Sequence, residues 1–167
     1  PVIAMIEAIN LTKSYSLGKQ EIVALRDVCC HIPHGSWSSI SGPSGSGKSS
    51  LLALMATLDR PTSGQILING HDISYASDVV QTRYRKEKIG IVFQEFQLLE
   101  NVNALDNVAM PLVVTDMSSP ERRARARSML QNLGLNHRTE HLPRQLSGGE
   151  RQLVAIARAL IHDPEII

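Results

Sequence analysis

The chain has 167 residues and is 43% hydrophobic, which is enough to bury the core of one domain, with or without an added lobe. Its 17 Lys and Arg residues nearly balance 16 Asp and Glu residues, and the net charge of +1 gives no indication of a nucleic-acid partner. No apolar run approaches the roughly 18 residues of a membrane span, and residues 1–11 lack the features of a signal peptide. The composition predicts a soluble protein that is not exported.

The amino-terminal half alternates predicted strands and turns. Val2–Leu11 and Ile22–Ile32 are predicted strands, with the turn at residues 17–20 between them. A short strand, Trp37–Ser41, precedes a Gly/Ser-rich loop and a helix over Lys48–Leu58. The predicted buried face of this helix consists of Leu51, Leu52, Met55 and Leu58.

Cys29 and Cys30 are the two cysteines of the chain and are adjacent in the second predicted strand. Neighbouring side chains of a strand point to opposite faces, so the thiols are expected to stay unpaired and to be buried or half-buried. Their spacing gives neither a disulfide framework nor a CxxC metal site, which fits a reducing cytosol.

A hairpin and one more strand complete the predicted β structure. Asn69 and Gly70 tolerate positive φ, which favours a tight turn within Gly64–Ile73. The apolar run Ile89–Phe93 predicts a short buried strand.

Helical patterns with Pro and Gly breaks fill residues 94–150 and predict an inserted helical lobe. Its clearest helix is Pro120–Leu133, capped by Ser118 or Ser119 and ended by Gly134. Its four arginines have no aromatic residues between them, so they predict a solvated or protein-facing surface rather than a base-stacking one.

The last predicted helix spans Gly148–Ile161 and stops near Asp163-Pro164, before an extended segment at 165–167. Its predicted apolar face consists of Leu153, Ile156, Ala157 and Leu160.

The Gly/Ser-rich loop matches the phosphate-binding pattern GxxxxGK[ST] and lies between a predicted strand and a predicted helix, as its mechanism requires. The matching residues are Gly42, Pro43, Ser44, Gly45, Ser46, Gly47, Lys48 and Ser49. Glycines allow successive backbone N–H groups to face one anion, and the helix dipole adds positive potential. A chance match in a surface loop is the competing interpretation, and the strand and helix on either side argue against it.

Lys48 is expected to reach the β- and γ-phosphates of a nucleotide, and the Ser49 hydroxyl is expected to bind the Mg²⁺ that bridges them. Ser50 is a candidate for a further phosphate contact. This loop alone leaves GTPases, kinases and many ATPases open.

A second motif, Leu146-Ser147-Gly148-Gly149-Glu150, resembles the LSGGQ signature of ABC ATPases and begins a helix that continues in the family's pattern through residues 151–160. Ser147, Gly148 and Gly149 at a helix N-terminus resemble a second anion cradle; a helix cap without a ligand is the competing interpretation, and the presence of the phosphate loop argues against it. One nucleotide cannot use both cradles of one chain. The resemblance implies that two ATP-binding domains form a head-to-tail homodimer in which this signature covers the partner's nucleotide.

The resemblance assigns roles to two more residues. Tyr15 stands where the family has an aromatic residue that stacks on adenine, and Gln94 matches the glutamine that contacts Mg²⁺ or the attacking water. Lys48 and Gln94 are therefore the catalytic candidates, and Ser49 and Gln94 are the metal-ligand candidates.

The resemblance extends over essentially the whole chain and is strongest to the branch that serves lipoprotein release and macrolide-type export. It implies an α/β fold: a P-loop NTPase core of ABC type with an antiparallel β-subdomain and an inserted α-helical lobe. The expected divisions are a core at 1–93, the lobe at 94–150 and a return to the core at 151–167. It also implies transmembrane permease partners and a cytoplasmic location on the inner face of the membrane.

The family's Asp and Glu that hold Mg²⁺ and polarise the attacking water follow a strand like the one beginning at residues 165–167, so the chain is expected to be a fragment that binds ATP while its parent hydrolyses it. Two alternatives stay open: an ATP-gated interaction protein that regulates a membrane or cell-wall complex without transport, and a nucleotide binder without turnover.

Overall fold

A computed structural model describes residues 4–18 and 20–167 and divides the chain into two compact units, residues 1–84 and 85–167. The first two residues of the strand predicted from Val2, and Lys19 of the following turn, lie outside the described residues. The predicted three-part division at residues 93 and 150 stays a prediction. None of the helices in the described part of the chain is long and apolar enough to cross a bilayer.

The first unit is built on a four-stranded antiparallel sheet in the order β2-β1-β3-β4. The strands are β1 (Ala4–Leu17), β2 (Gln20–Pro33), β3 (Ser63–Ile68) and β4 (His71–Asp72). The two predicted hairpins are confirmed: Leu17 pairs with Gln20, and Asn69 and Gly70 turn between β3 and β4 with φ of 50° and 76°.

Helix α1 (Lys48–Met55) follows the Gly/Ser-rich loop, and α2 (Asp78–Glu87) begins in the first unit. The predicted buried face of α1 is half wrong. Leu51, Leu54 and Met55 are buried, whereas Leu52 is 54% exposed and Leu58 is 47% exposed. The helix ends at Met55, so Leu58 lies beyond the regular 3.6-residue period on which the prediction depended.

The second unit is helical. Its helices are α3 (Ala104–Ala109), α4 (Ser119–Asn132) and α5 (Gly148–Leu160), with short 3₁₀ helices at Met110–Val114, Asn136–Arg138 and Pro143–Gln145. The predicted start of α4 is confirmed, because Ser118 and Glu121 form a capping box. Three of the helix's arginines, Arg123, Arg125 and Arg127, form ion pairs with acidic residues of the same unit.

The predicted face of α5 is also partly wrong. Of the four residues named, only Ala157 is fully buried, while Val154 and Ala155 are buried although they were not predicted to be. Small side chains let neighbouring elements approach this helix on more than one side, so a single-stripe pattern underestimates its burial.

Two predicted strands are absent from the described part of the chain. Trp37–Ser41 has no strand hydrogen bonding, and Ile89–Phe93 makes one parallel bridge, between Ile89 and Ile166. Apolar β-branched sequence favours an extended backbone, but a strand also needs a hydrogen-bonded neighbour along its length.

The structure confirms that both cysteines are free. Cys30 is half-buried, as expected, but Cys29 is exposed, which corrects the prediction for that side chain. Burial raises the pKa of the Cys30 thiol.

Candidate functional site

The phosphate-loop candidates of the sequence form a loop at residues 42–47 and the start of α1, all in the first unit. Gly47 has φ of 86°, and a Cβ at this position would lie 2.4 Å from the carbonyl oxygen of Ala24 in β2. Only glycine permits both this backbone conformation and this close approach. The loop is therefore held tightly against the edge of β2 just before α1 begins.

The N-terminus of α1 presents unused backbone donors. No side chain caps the helix, and its first turn has no acidic residue. The N–H groups of Gly47, Lys48 and Ser49 have no acceptor within residues 4–18 and 20–167. Since these groups stand at the positive end of the helix dipole, they favour an anion in front of the loop.

Lys48 supplies the positive charge of the loop. Its Nζ donates to the carbonyl oxygens of Gly42 at 2.9 Å and Pro43 at 2.6 Å, and it lies 3.4 Å from the Ser46 hydroxyl. None of the described carboxylates forms an ion pair with it. The ammonium is held near the loop by neutral groups, so no described carboxylate competes with an anionic ligand for it.

The serine hydroxyls of the phosphate loop are accessible. Ser44, Ser46 and Ser49 are exposed, and Ser50 is half-buried. A hydroxyl is both a donor and an acceptor, so these side chains suit phosphate oxygens or a hydrated cation.

Tyr15 of β1 lies in the same unit as the loop and is 40% exposed. Its hydroxyl donates to Asp59 Oδ2 at 3.0 Å, and Lys13 Nζ lies 4.8 Å from the centre of its ring. Burial acts to raise the pKa of Asp59, but hydrogen bonds from Lys13, the Arg60 N–H and Tyr15 lower it overall. The phenol is thus part of a charged cluster rather than an isolated half-buried side chain.

The signature residues begin α5 in the second unit. Ser147 is the N-cap and accepts from the Glu150 N–H at 3.2 Å, while Glu150 Oε2 accepts from the Ser147 N–H at 2.7 Å. A Cβ at Gly148 or Gly149 would meet nothing within 4 Å, so the backbone is open to solvent at both positions. Ser147 and Glu150 therefore cap the helix, and the two accessible glycines lie between them.

Glu150 is at a position where its negative charge would repel a bound anion, but that charge is compensated by Arg138. The backbone N–H and hydroxyl of Ser147, together with the Arg138 guanidinium, lower the pKa of Glu150 to about 2. Arg138 Nε donates to Glu150 Oε1 at 2.7 Å. The carboxylate is turned back onto its own helix and neutralised by Arg138.

Gln94 is exposed in a turn after Ile89–Phe93. The loop beyond it has φ of 60° at Phe96 and 47° at Gln97, and Arg158 of α5 donates to both of their carbonyl oxygens at 2.6 Å. Burial lowers the pKa of the Arg158 guanidinium. Two charge-assisted bonds therefore hold the Gln94 loop to the signature helix within the second unit.

The structure brings the predicted residues 42–50 together and places Tyr15 in the same unit; Gln94 and the signature lie in the other. Sequence reasoning missed four residues that position these groups: Lys13, Asp59, Arg138 and Arg158. The alternation of Lys13 with Tyr15 on one strand face is a signal for the first. For the other three, the contacts are long-range and a single sequence does not show them.

The described residues contain no group of three or more His, Cys, Asp or Glu side chains that could hold a metal ion. A metal bound at the loop would therefore depend on Ser49 and on oxygens of the ligand. That donor set fits Mg²⁺, which keeps several waters and is often bound through one or two protein groups and phosphate oxygens.

The chain is similar to a known protein family. The sequence model of the family described as ABC transporter matches residues 25–167. The chain is 44% identical over 163 residues to an uncharacterized ABC transporter ATP-binding protein of Thermotoga maritima, spanning 98% of the chain and 70% of that protein. It is likewise 44% identical to YknY of Bacillus subtilis, with 98% of the chain and 71% of the relative covered.

Two solved structures are similar over 96% of the chain and 71% of their own length. One is the dimeric post-hydrolysis state of the ATP-binding cassette MJ0796 with ADP and Pi, at 43% identity and a TM-score of 0.89. The other is a dimeric structure of MJ0796, described as a bacterial ABC transporter cassette, at 44% identity and a TM-score of 0.88.

Proposed function

The chain belongs to the ABC transporter family of ATP-binding domains, and from this premise we propose that it binds ATP with Mg²⁺ on the loop from Gly42 to Ser49. Its fold is accordingly α/β, a P-loop ATPase cassette with an antiparallel sheet and a helical portion. The observation that carries the proposal is the uncapped start of α1, where Gly47 fixes the loop and Lys48 has no counter-charge among the described residues.

The loop would surround the phosphates with donors. The N–H groups at Gly47, Lys48 and Ser49 face the anion, and Lys48 exchanges its carbonyl partners for β- and γ-phosphate oxygens. Ser44, Ser46 and Ser50 add hydroxyls. This replacement is favourable because a cation bonded only to carbonyls gains an opposite charge.

Mg²⁺ would be held by the Ser49 hydroxyl and by phosphate oxygens. When bound, the ion would supply positive charge against the phosphates and so favour attack by water on the γ-phosphoryl group. Gln94 is proposed to orient that water. The Arg158 bonds to the loop that follows Gln94 support this role, since they fix the backbone close to the amide.

A second copy of the domain would complete the site. We assign Ser147, Gly148 and Gly149 to the γ-phosphate of the partner's nucleotide in a head-to-tail homodimer. Their accessibility and the compensated charge of Glu150 support the assignment, and dimerisation has precedent in the MJ0796 cassette, which is dimeric in both similar structures.

We further propose that ATP hydrolysis drives permease subunits in export or lipoprotein extraction at the cytoplasmic face of a membrane. The segment Met110–Val114 is the candidate docking surface. Met110, Val113 and Val114 are exposed although they are apolar, which is typical of a surface that contacts another protein.

The central proposal is tested by ATP binding to the purified protein. Lys48→Ala should weaken Mg·ATP binding about 10-fold to 100-fold, because it removes charge-assisted bonds to phosphate. Lys86→Ala, which removes an exposed lysine of α2, is the matched control and should bind like the wild type. Wild-type affinity in the Lys48 variant would refute ATP binding at this loop.

A further inference from the structure

The ring of Tyr15 is restrained at one edge and on one face. Asp59 accepts its hydroxyl, and the Lys13 ammonium lies over the ring. Lys13 and Tyr15 are two residues apart in β1, so their side chains share one face of the strand. Tyr15 is nevertheless 40% exposed, so part of the residue stays accessible to a ligand.

Asp59 is the common partner of this cluster. Its Oδ1 accepts from Lys13 Nζ at 2.7 Å and from the Arg60 N–H at 2.7 Å, while its Oδ2 accepts from Tyr15 at 3.0 Å. Lys13 Nζ also donates to the Arg60 carbonyl oxygen at 2.7 Å, and its side chain is only 12% exposed. A nearly buried ammonium with these two acceptors has little freedom to leave the ring.

The cluster is joined to the phosphate loop through the β1–β2 pairing. Gly47 packs against Ala24 of β2. On either side of Ala24, Leu25 pairs with Lys13 of β1 and Ile22 pairs with Tyr15. The loop and the aromatic ring therefore lie along neighbouring positions of one strand pair. Asp59 itself follows the C-terminal end of α1, the helix that the loop begins.

We propose that Asp59 is a positioning residue for the nucleotide base: it fixes the Tyr15 phenol and the Lys13 ammonium so that adenine stacks on the ring face opposite Lys13. The inference rests on the proposed binding of ATP at the phosphate loop and deepens it. Both Asp59 oxygens and the Tyr15 hydroxyl are used within the cluster, so the base is bound by stacking rather than by these polar groups. A fixed ring loses less conformational entropy when the base binds.

The test compares Mg·ATP with inorganic tripolyphosphate in the presence of Mg²⁺, by calorimetric titration of the purified protein. Tripolyphosphate has the phosphates but no base. Asp59→Asn should weaken ATP binding about threefold to tenfold, the range of one to two oriented hydrogen bonds, and leave tripolyphosphate binding unchanged. Tyr15→Ala should weaken ATP binding about 5-fold to 100-fold, as expected for loss of base stacking.

Asp72→Asn is the matched control. Asp72 is another hydrogen-bonded carboxylate of the first unit, bound to Ser74 and Gln65, and its pKa is likewise lowered, chiefly by Ser74. Its variant should bind ATP and tripolyphosphate like the wild type.

Tyr15→Phe supplies a second route to the same answer, because it keeps the ring and removes only the hydroxyl. If Asp59 acts through Tyr15, Asp59→Asn should have a smaller effect in the Tyr15→Phe background than in the wild type. Independent, multiplicative effects of the two substitutions would overturn the inference.

Equal weakening of ATP and tripolyphosphate in Asp59→Asn would show a structural role only and would also overturn it. So would wild-type ATP affinity in that variant alongside weak binding by Tyr15→Ala. Both results leave ATP binding at the phosphate loop intact, since that proposal fails only if Lys48→Ala binds normally.

Discussion

Replacing Gly47 with alanine tests how the phosphate loop is held. The added methyl group destabilises the folded state in two ways. With φ of 86°, the backbone is in a left-handed region that costs about 1–2 kcal/mol for a residue with a Cβ. The Cβ would also lie 2.4 Å from Ala24 O and 2.8 Å from Leu25 Cδ2, and relieving such an overlap costs about 1–3 kcal/mol. The expected destabilisation is therefore about 2–5 kcal/mol.

Gly45→Ala separates the two costs. Gly45 has φ of 79°, but a Cβ there would meet nothing within 4 Å, so only the backbone cost of about 1–2 kcal/mol is expected. Urea unfolding of the wild type and both variants measures the difference. If Gly47→Ala is no less stable than Gly45→Ala, the close contact with β2 does not hold the loop, and the reasoning is refuted.

Three further predictions concern the second unit. Glu150→Gln should lower stability near neutral pH. The pKa of the Glu150 carboxyl is lowered from 4.5 to about 2 in the folded state, so the extra stability of the wild type should be complete above pH 4.5 and vanish as the pH falls toward 2. Thermal unfolding at several pH values checks this, and a pH-independent difference in stability would contradict it. Asn107→Ala should lower the free energy of unfolding in urea by about 2–4 kcal/mol, because this fully buried side chain accepts from the Leu99 N–H and donates to three carbonyl oxygens. The control Asn101→Ala, at an exposed position, should change stability very little. Arg158→Lys should raise amide hydrogen exchange at residues 94–98, because lysine cannot reproduce the two-carbonyl contact; unchanged exchange would show that the loop is held by other means.

Local chemistry explains what could be predicted from the sequence. The Asn69-Gly70 turn, the Ser118 cap and the start of α5 at Ser147 each depend on residues within a few positions of one another, and the structure confirms all three. The phosphate loop is of the same kind, because glycines, a lysine and a following helix make it recognisable in one stretch of sequence. Its role in phosphate binding stays a prediction.

Contacts between distant residues explain the rest. Trp37–Ser41 is predicted to be a short strand but has no strand beside it among the described residues, and α1 stops before Leu58. The partnership of Asp59 with Tyr15 spans 44 positions, and that of Arg158 with Phe96 spans 62. Periodicity and propensity contain no information about such pairs, so the residues that orient the site were found only in three dimensions.

The two kinds of β pairing in this chain differ in the number of residues that separate the paired positions. In the β1–β2 hairpin only two residues separate the paired Leu17 and Gln20, so it can form in about 1–10 μs. The parallel bridge from Ile89 to Ile166 joins positions 77 apart, as does the adjacent Lys88–Glu165 ion pair, and closing that loop has a larger entropy cost. During synthesis on the ribosome, β1 and β2 can therefore pair before α5 has emerged, and the strand edge that contacts the phosphate loop is formed early in folding.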